Sequence, residues 1–98
     1  MTRQISLSVD GSPIEMDYFV QSFIDHTVFG MVSSLEGVHD ISEIDTQING
    51  NHAAISVNDI PVPMNDFAAA IVSSTVRGMV SSLKGVEKAE RIRIGIHR

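Results

Sequence analysis

The sequence predicts one α+β domain over residues 1–98, an antiparallel sheet with two helices on one face, built from two copies of a β-α-β unit. Three observations carry this. Gly30-Met31-Val32-Ser33-Ser34-Leu35-Glu36-Gly37-Val38 recurs as Gly78-Met79-Val80-Ser81-Ser82-Leu83-Lys84-Gly85-Val86, an offset of 48 positions. In that register Ser8-Val9 falls on Ser56-Val57, Pro13 on Pro61, Phe19 on Phe67 and Ile44 on Ile92. Each copy passes from two-residue to helical periodicity and back, and a turn signal at Gly50-Asn51 joins the copies.

The elements follow in order within half-repeats of about 4–49 and 52–97. Ile5, Leu7 and Val9 alternate with Gln4, Ser6 and Ser8, as in a half-buried strand, and Ala53, Ile55 and Val57 repeat the pattern. Asp10-Gly11-Ser12-Pro13 and Asn58-Asp59-Ile60-Pro61 supply turn chemistry. Asp17 and Asn65 stand where side-chain oxygens can accept from free helix N–H groups. The helices then carry one apolar stripe each, from Met16 through Phe19, Phe23 and Val28 to Leu35, and from Met64 through Phe67, Ile71 and Val76 to Leu83. Gly37 and Gly85 are natural stops. The closing strands place Ile44, Thr46 and Ile48, and Ile92, Ile94 and Ile96, on one face. A two-residue hairpin at Gly50-Asn51 pairs Ile48 with Ala53, Thr46 with Ile55 and Ile44 with Val57, which puts every apolar residue on that face.

Right-handed crossovers and the central hairpin together point to strand order 4-1-3-2, the ferredoxin-like βαββαβ sandwich with a pseudo-two-fold tandem repeat. The Leu-x-Gly-Val ending of each helix resembles heavy-metal-associated domains, which implies fold only, because their Cys-x-x-Cys is absent. The strand-Asp-Gly-x-Pro segment is similar to ACT regulatory domains. The topology also resembles RNA-recognition motifs, but Ser6, Ser8, Ala54 and Ser56 stand where their aromatic platform would be.

Composition excludes several function classes. A net charge of −5 argues against nucleic acid as the main partner. The chain has no cysteine, so disulfides, thiolate-bound zinc, iron–sulfur clusters and thiol catalysis are ruled out. No apolar run approaches a membrane span and no leader peptide is visible, so a cytoplasmic protein is expected.

No catalytic, cofactor-binding or metal-ligating set emerges. His26, His39, His52 and His97 form no i, i+4 pair and are not kept between repeats. Gly30 and Gly78 lie at the border of the stripe and predict close packing of each helix. Tyr18 and Phe29 are expected opposite the stripe, as a partner surface. The outer sheet face is expected to carry Glu43 and Asp45 on one edge and Arg91 and Arg93 on the other, an arrangement suited to two-fold self-association. The expected function is a small homo-oligomeric binding, regulatory or interaction module, with any small-molecule ligand at a subunit interface. The alternatives are a small enzyme whose inter-subunit cleft uses sheet-face acids or histidine, and a structural subunit of a larger complex.

Overall fold

A computed structural model describes residues 4–35, 40–50, 52–83 and 90–97. Its elements are β1 (Gln4–Val9), β2 (Ser12–Pro13), α1 (Tyr18–Ser33), β3 (Glu43–Asn49), β4 (His52–Val57), β5 (Ile60–Pro61), α2 (Asp66–Ser81) and β6 (Arg91–His97). All pairings are antiparallel, in the order β2-β1-β6-β3-β4-β5. No helix among the described residues is long and apolar enough to cross a membrane.

This order corrects the ferredoxin-like expectation. The hairpin β3–β4 forms in the expected register, with Ile48 opposite Ala53, Thr46 opposite Ile55 and Ile44 opposite Val57. The centre of the sheet is β3 against β6, however, so the four long strands run 1-4-2-3 instead of 4-1-3-2. Two short hairpins explain the difference. Asp10 and Gly11 (φ 50° and 85°) turn β1 back into β2, and Asn58 and Asp59 (φ 53° and 65°) turn β4 back into β5. Positive φ at both central residues is the hairpin turn whose twist matches that of the strands. Each small strand occupies the outer side of its long neighbour, and the backbone ladder continues from Ile14 N–H to the Leu7 carbonyl and from Val62 N–H to the Ile55 carbonyl. With one flank of β1 and of β4 already used, these strands cannot meet at the centre. The centre falls to β3 and β6. Pro13 and Pro61 then stand on the outermost strands, where a missing N–H is tolerated.

The repeat sets a pseudo-two-fold through the middle of this pair, where Thr46 lies opposite Ile94, its own repeat equivalent. Asp10 and Asn58 act alike about that axis. Asp10 Oδ1 accepts from the Glu90 and Arg91 N–H groups at 3.3 and 2.9 Å, and Asn58 Oδ1 accepts from Ser42 and Glu43 at 2.8 and 3.0 Å. Each pins the start of the strand contributed by the other β-α-β unit or its hairpin partner. The turn expected at Asp10-Gly11 is therefore also an anchor.

The core lies between sheet and helices. Leu7, Val9, Ile44, Ile48, Ile55, Val57, Ile92, Ile94 and Ile96 point inward to meet Ile24, Val28 and Val32 of α1 and Val72, Val76 and Val80 of α2. Asp17 and Asn65 cap the helices as expected, each accepting the N–H three residues on at 2.8 Å. Gly37, Gly85 and His39 lie outside the described residues.

Candidate functional surfaces

Two faces of the sandwich differ sharply in chemistry. The open sheet face holds the charges. On its central strands, Glu43, Asp45, Gln47 and Asn49 of β3 stand beside Arg91, Arg93, Gly95 and His97 of β6. The arrangement with acids and arginines at opposite edges is thus corrected: the reordered sheet makes these strands neighbours, and the charges meet inside one chain. The Arg93 guanidinium donates to both oxygens of Asp45, at 3.1 and 3.3 Å. His97 Nε2 lies 3.1 Å from Glu43 Oε1, and Gln47 donates to Asp45 at 3.1 Å. Ser6, Ser8, Ala54 and Ser56, expected at the centre, flank this ladder instead.

The repeat relates these pairs in a particular way. Glu43 is equivalent to Arg91 and Asp45 to Arg93, so the pseudo-axis exchanges acid for base. Across the central strands each half therefore meets its electrostatic complement.

Gly95 breaks the row of side chains. Its equivalent is Gln47, and without a side chain a hollow of about 580 Å³ opens over it, ringed by Ser6, Glu43, Asp45, Ser56, Arg93 and His97. A Cβ here would come within 2.9 Å of Ser6 Oγ, so the glycine also lets β1 approach closely. Of the three acids around the hollow, Asp45 is engaged by Arg93 and Glu43 by His97, while Asp59 stands at its rim. Among the described residues no group of His, Asp and Glu could hold a metal ion.

The helix face is the reverse. At about 100° per residue, Ile24, Val28 and Val32 form the side of α1 that meets the sheet. Roughly opposite lie Phe19, Phe23, His26, Gly30 and Ser33, all exposed and spaced by fours and threes. On α2 the same seam reads Phe67, Ile71, Ser74, Gly78 and Ser81, also all exposed. Phe19 is 71% exposed, Phe67 72% and Phe23 51%, far above the level of core residues. Phe19 and Phe23 meet in a tilted ring contact with centroids 6.1 Å apart and, with Gly78, Met79 and Leu83 of α2, line a groove of about 500 Å³.

Two expectations fall here. Phe19, Phe23, Phe67 and Ile71 belong to an outward seam and not to the core. Gly30 and Gly78 do not serve close packing, since a Cβ at either would meet nothing within 4 Å. Tyr18 is exposed as expected, at the start of α1, but Phe29 is half-buried and packs against the core. Its repeat equivalent Arg77 reaches the central hairpin and donates to the Gly50 carbonyl. The phase error has one source: including both seams in a single stripe moved its apparent centre away from the sheet.

Among the exposed residues of the two helices, Asp66 is the only aspartate, glutamate, lysine or arginine. A helix face meant for water ordinarily alternates charged residues. No protein-family model, curated protein or solved structure matches this chain, so its function is read from these surfaces alone.

Proposed function

We propose that the chain is a small self-associating interaction module. The observation that carries this is the outward face of the helix pair, with aromatic and aliphatic side chains exposed over a surface nearly free of formal charge. Depletion of charge with enrichment of aromatics marks the cores of protein interfaces. Taking ~200 Å² per aromatic side chain, Phe19, Phe23 and Phe67 alone leave about 400 Å² of apolar surface in water, within the range of the largest patch on a typical monomer. Tyr18 and Ile71 enlarge it further. On the charged sheet face, by contrast, Asp45 pairs with Arg93 and Glu43 with His97 within the chain, and Arg91 stays exposed to water.

Sedimentation over a range of concentrations tests the reading. The expected particle has twice the 10.7 kDa chain mass or a higher multiple, and a monomer at the highest concentration reached would overturn it.

The hollow over Gly95 supports a second reading, a site for a small polar ligand that carries both donors and acceptors. Ser6, Ser56, Arg93 and the three acids Glu43, Asp45 and Asp59 offer both kinds of partner around one opening. Titration with small zwitterions, followed at the Gly95 amide by NMR, checks it. Shifts spread evenly over the protein, or none, would remove it.

A further inference from the structure

Resting on the self-association proposed above, we infer that the occupant of the helix face is a second copy of this chain, packed helix layer against helix layer with antiparallel helices, so that the assembly is layered sheet–helix–helix–sheet. Each seam grades from bulky to small along its helix: two large apolar residues, a polar residue, a glycine, a serine. When one such helix is laid antiparallel on another, the large end of each covers the small end of its partner. Phe19 and Phe23, or Phe67 and Ile71, then fill the space that Gly30 and Ser33, or Gly78 and Ser81, leave open. The steps of four and three residues are those of helices that interlock side chains along a shared seam.

Self-complementarity is what a two-fold contact between identical chains requires. Here the internal repeat supplies it twice, because both helices carry the same gradient and the pseudo-axis runs them in opposite directions. The open space above both glycines is the cavity side of that fit. The area also suits a dimer: the exposed rings, Ile71 and the small residues between them approach the ~800 Å² per partner of a standard interface. The acidic net charge is no obstacle, since Glu43, Asp45 and the charged turn residues Asp10, Asp59 and Glu90 lie away from the seam and Asp66, at the start of α2, is the one exposed formal charge on the two helices.

Because the chain has no cysteine, a single introduced thiol can be labelled cleanly. A nitroxide at Gln47→Cys, exposed near the centre of the open sheet face, reports how two domains stack. The Cα envelope is 19 Å through its thin dimension, so helix-to-helix packing separates the two labels by about twice that distance. Sheet-to-sheet packing brings them toward the ~10 Å spacing of stacked sheets. In parallel, Phe19→Glu with Phe67→Glu should weaken association by about 30-fold or more per buried charge, since central aromatic anchors dominate interface energy. Gly30→Leu with Gly78→Leu should weaken it as well, while leaving each chain folded and at least as stable as before. A dimer that survives both double variants, or that holds the labels near the stacked-sheet spacing, overturns the helix-face assignment but leaves self-association standing. A wild-type monomer removes both.

Discussion

Cutting the chain within the Gly50-Asn51 turn should yield two fragments, 1–50 and 51–98, that fold only together. The reason is topological. β1 pairs with β6, β3 with β4, and β3 with β6, so every ladder between long strands joins one half to the other. Within a half, the only strand pairing among the described residues is to a two-residue strand. Fragment 1–50 could borrow a second copy of itself, but the charges oppose this. In such a homodimer Asp45 takes the place of Arg93, and the attraction between them becomes a contact between two aspartates. Both groups are partly exposed, so the favourable pair contributes only about 0.5–1 kcal/mol. Like charges ~4 Å apart near the surface cost about 1 kcal/mol or somewhat more. The mixed pair is therefore favoured over either self-pair by ~1.5–2 kcal/mol, about tenfold or more in association. Circular dichroism and amide NMR spectra of the separate fragments should show no native sheet at low concentration, and a 1:1 mixture should recover the dispersed spectrum of the intact chain. Asp45→Asn in fragment 1–50 should narrow the preference for the mixed pair. A monomeric fragment 1–50 that unfolds cooperatively, or a mixture no more ordered than its components, would refute the topology or its energetics.

Other perturbations are simpler. Thr46 is fully buried at the pseudo-axis, and its hydroxyl has no hydrogen-bond partner among the described residues; Thr46→Val, which keeps the shape, should stabilise by ~1–2 kcal/mol in urea unfolding. Asp10→Ala removes the acceptor of two strand N–H groups and should cost about 1–2 kcal/mol, with Asn58→Ala close behind. Gly78→Ala meets open space in the middle of a helix and should add up to ~1 kcal/mol of stability, measured on monomer so that association does not enter. A loss of stability in that last variant would mean that the α2 backbone departs from its described course at this point.

Much of this architecture was legible in the residues, and the failures have physical causes. The hairpin register could be read because inward alternation on both strands admits one pairing, and Asp17 and Asn65 announced the helix starts. Strand order could not be settled from crossovers and the central hairpin, since both 4-1-3-2 and 1-4-2-3 satisfy them. The deciding signal was present in Asp10-Gly11 and Asn58-Asp59, which favour a tight hairpin, but two-residue partner strands ending in proline do not look like strands. Helix phase failed for a different reason. The apolar residues from Phe19 to Val32 cover far more of the helix circumference than the ~100° that contact with one sheet requires. That excess width was itself the trace of a second buried-type face. The outward seam was thus written in the sequence, but hidden inside the core pattern beside it. The pairing of Glu43 and Asp45 with His97 and Arg93 depended on strand order and was unreadable without it.

The short outer strands β2 and β5 have a consequence for how this material behaves in bulk. Each covers the end of its long neighbour, and one of its own two residues is a proline with no N–H to offer, so the open border left on that side is the three-residue stretch Gln4–Ser6 of β1 or His52–Ala54 of β4. A neighbouring molecule therefore finds only a short template for adding another strand at either border. Short, proline-flanked edges of this kind oppose growth without limit, the route to fibrils, and leave contact mainly to the broad surfaces. A concentrated solution of this domain should hold countable particles that dissociate on dilution, and it should fail to seed the fluorescence of amyloid-binding dyes.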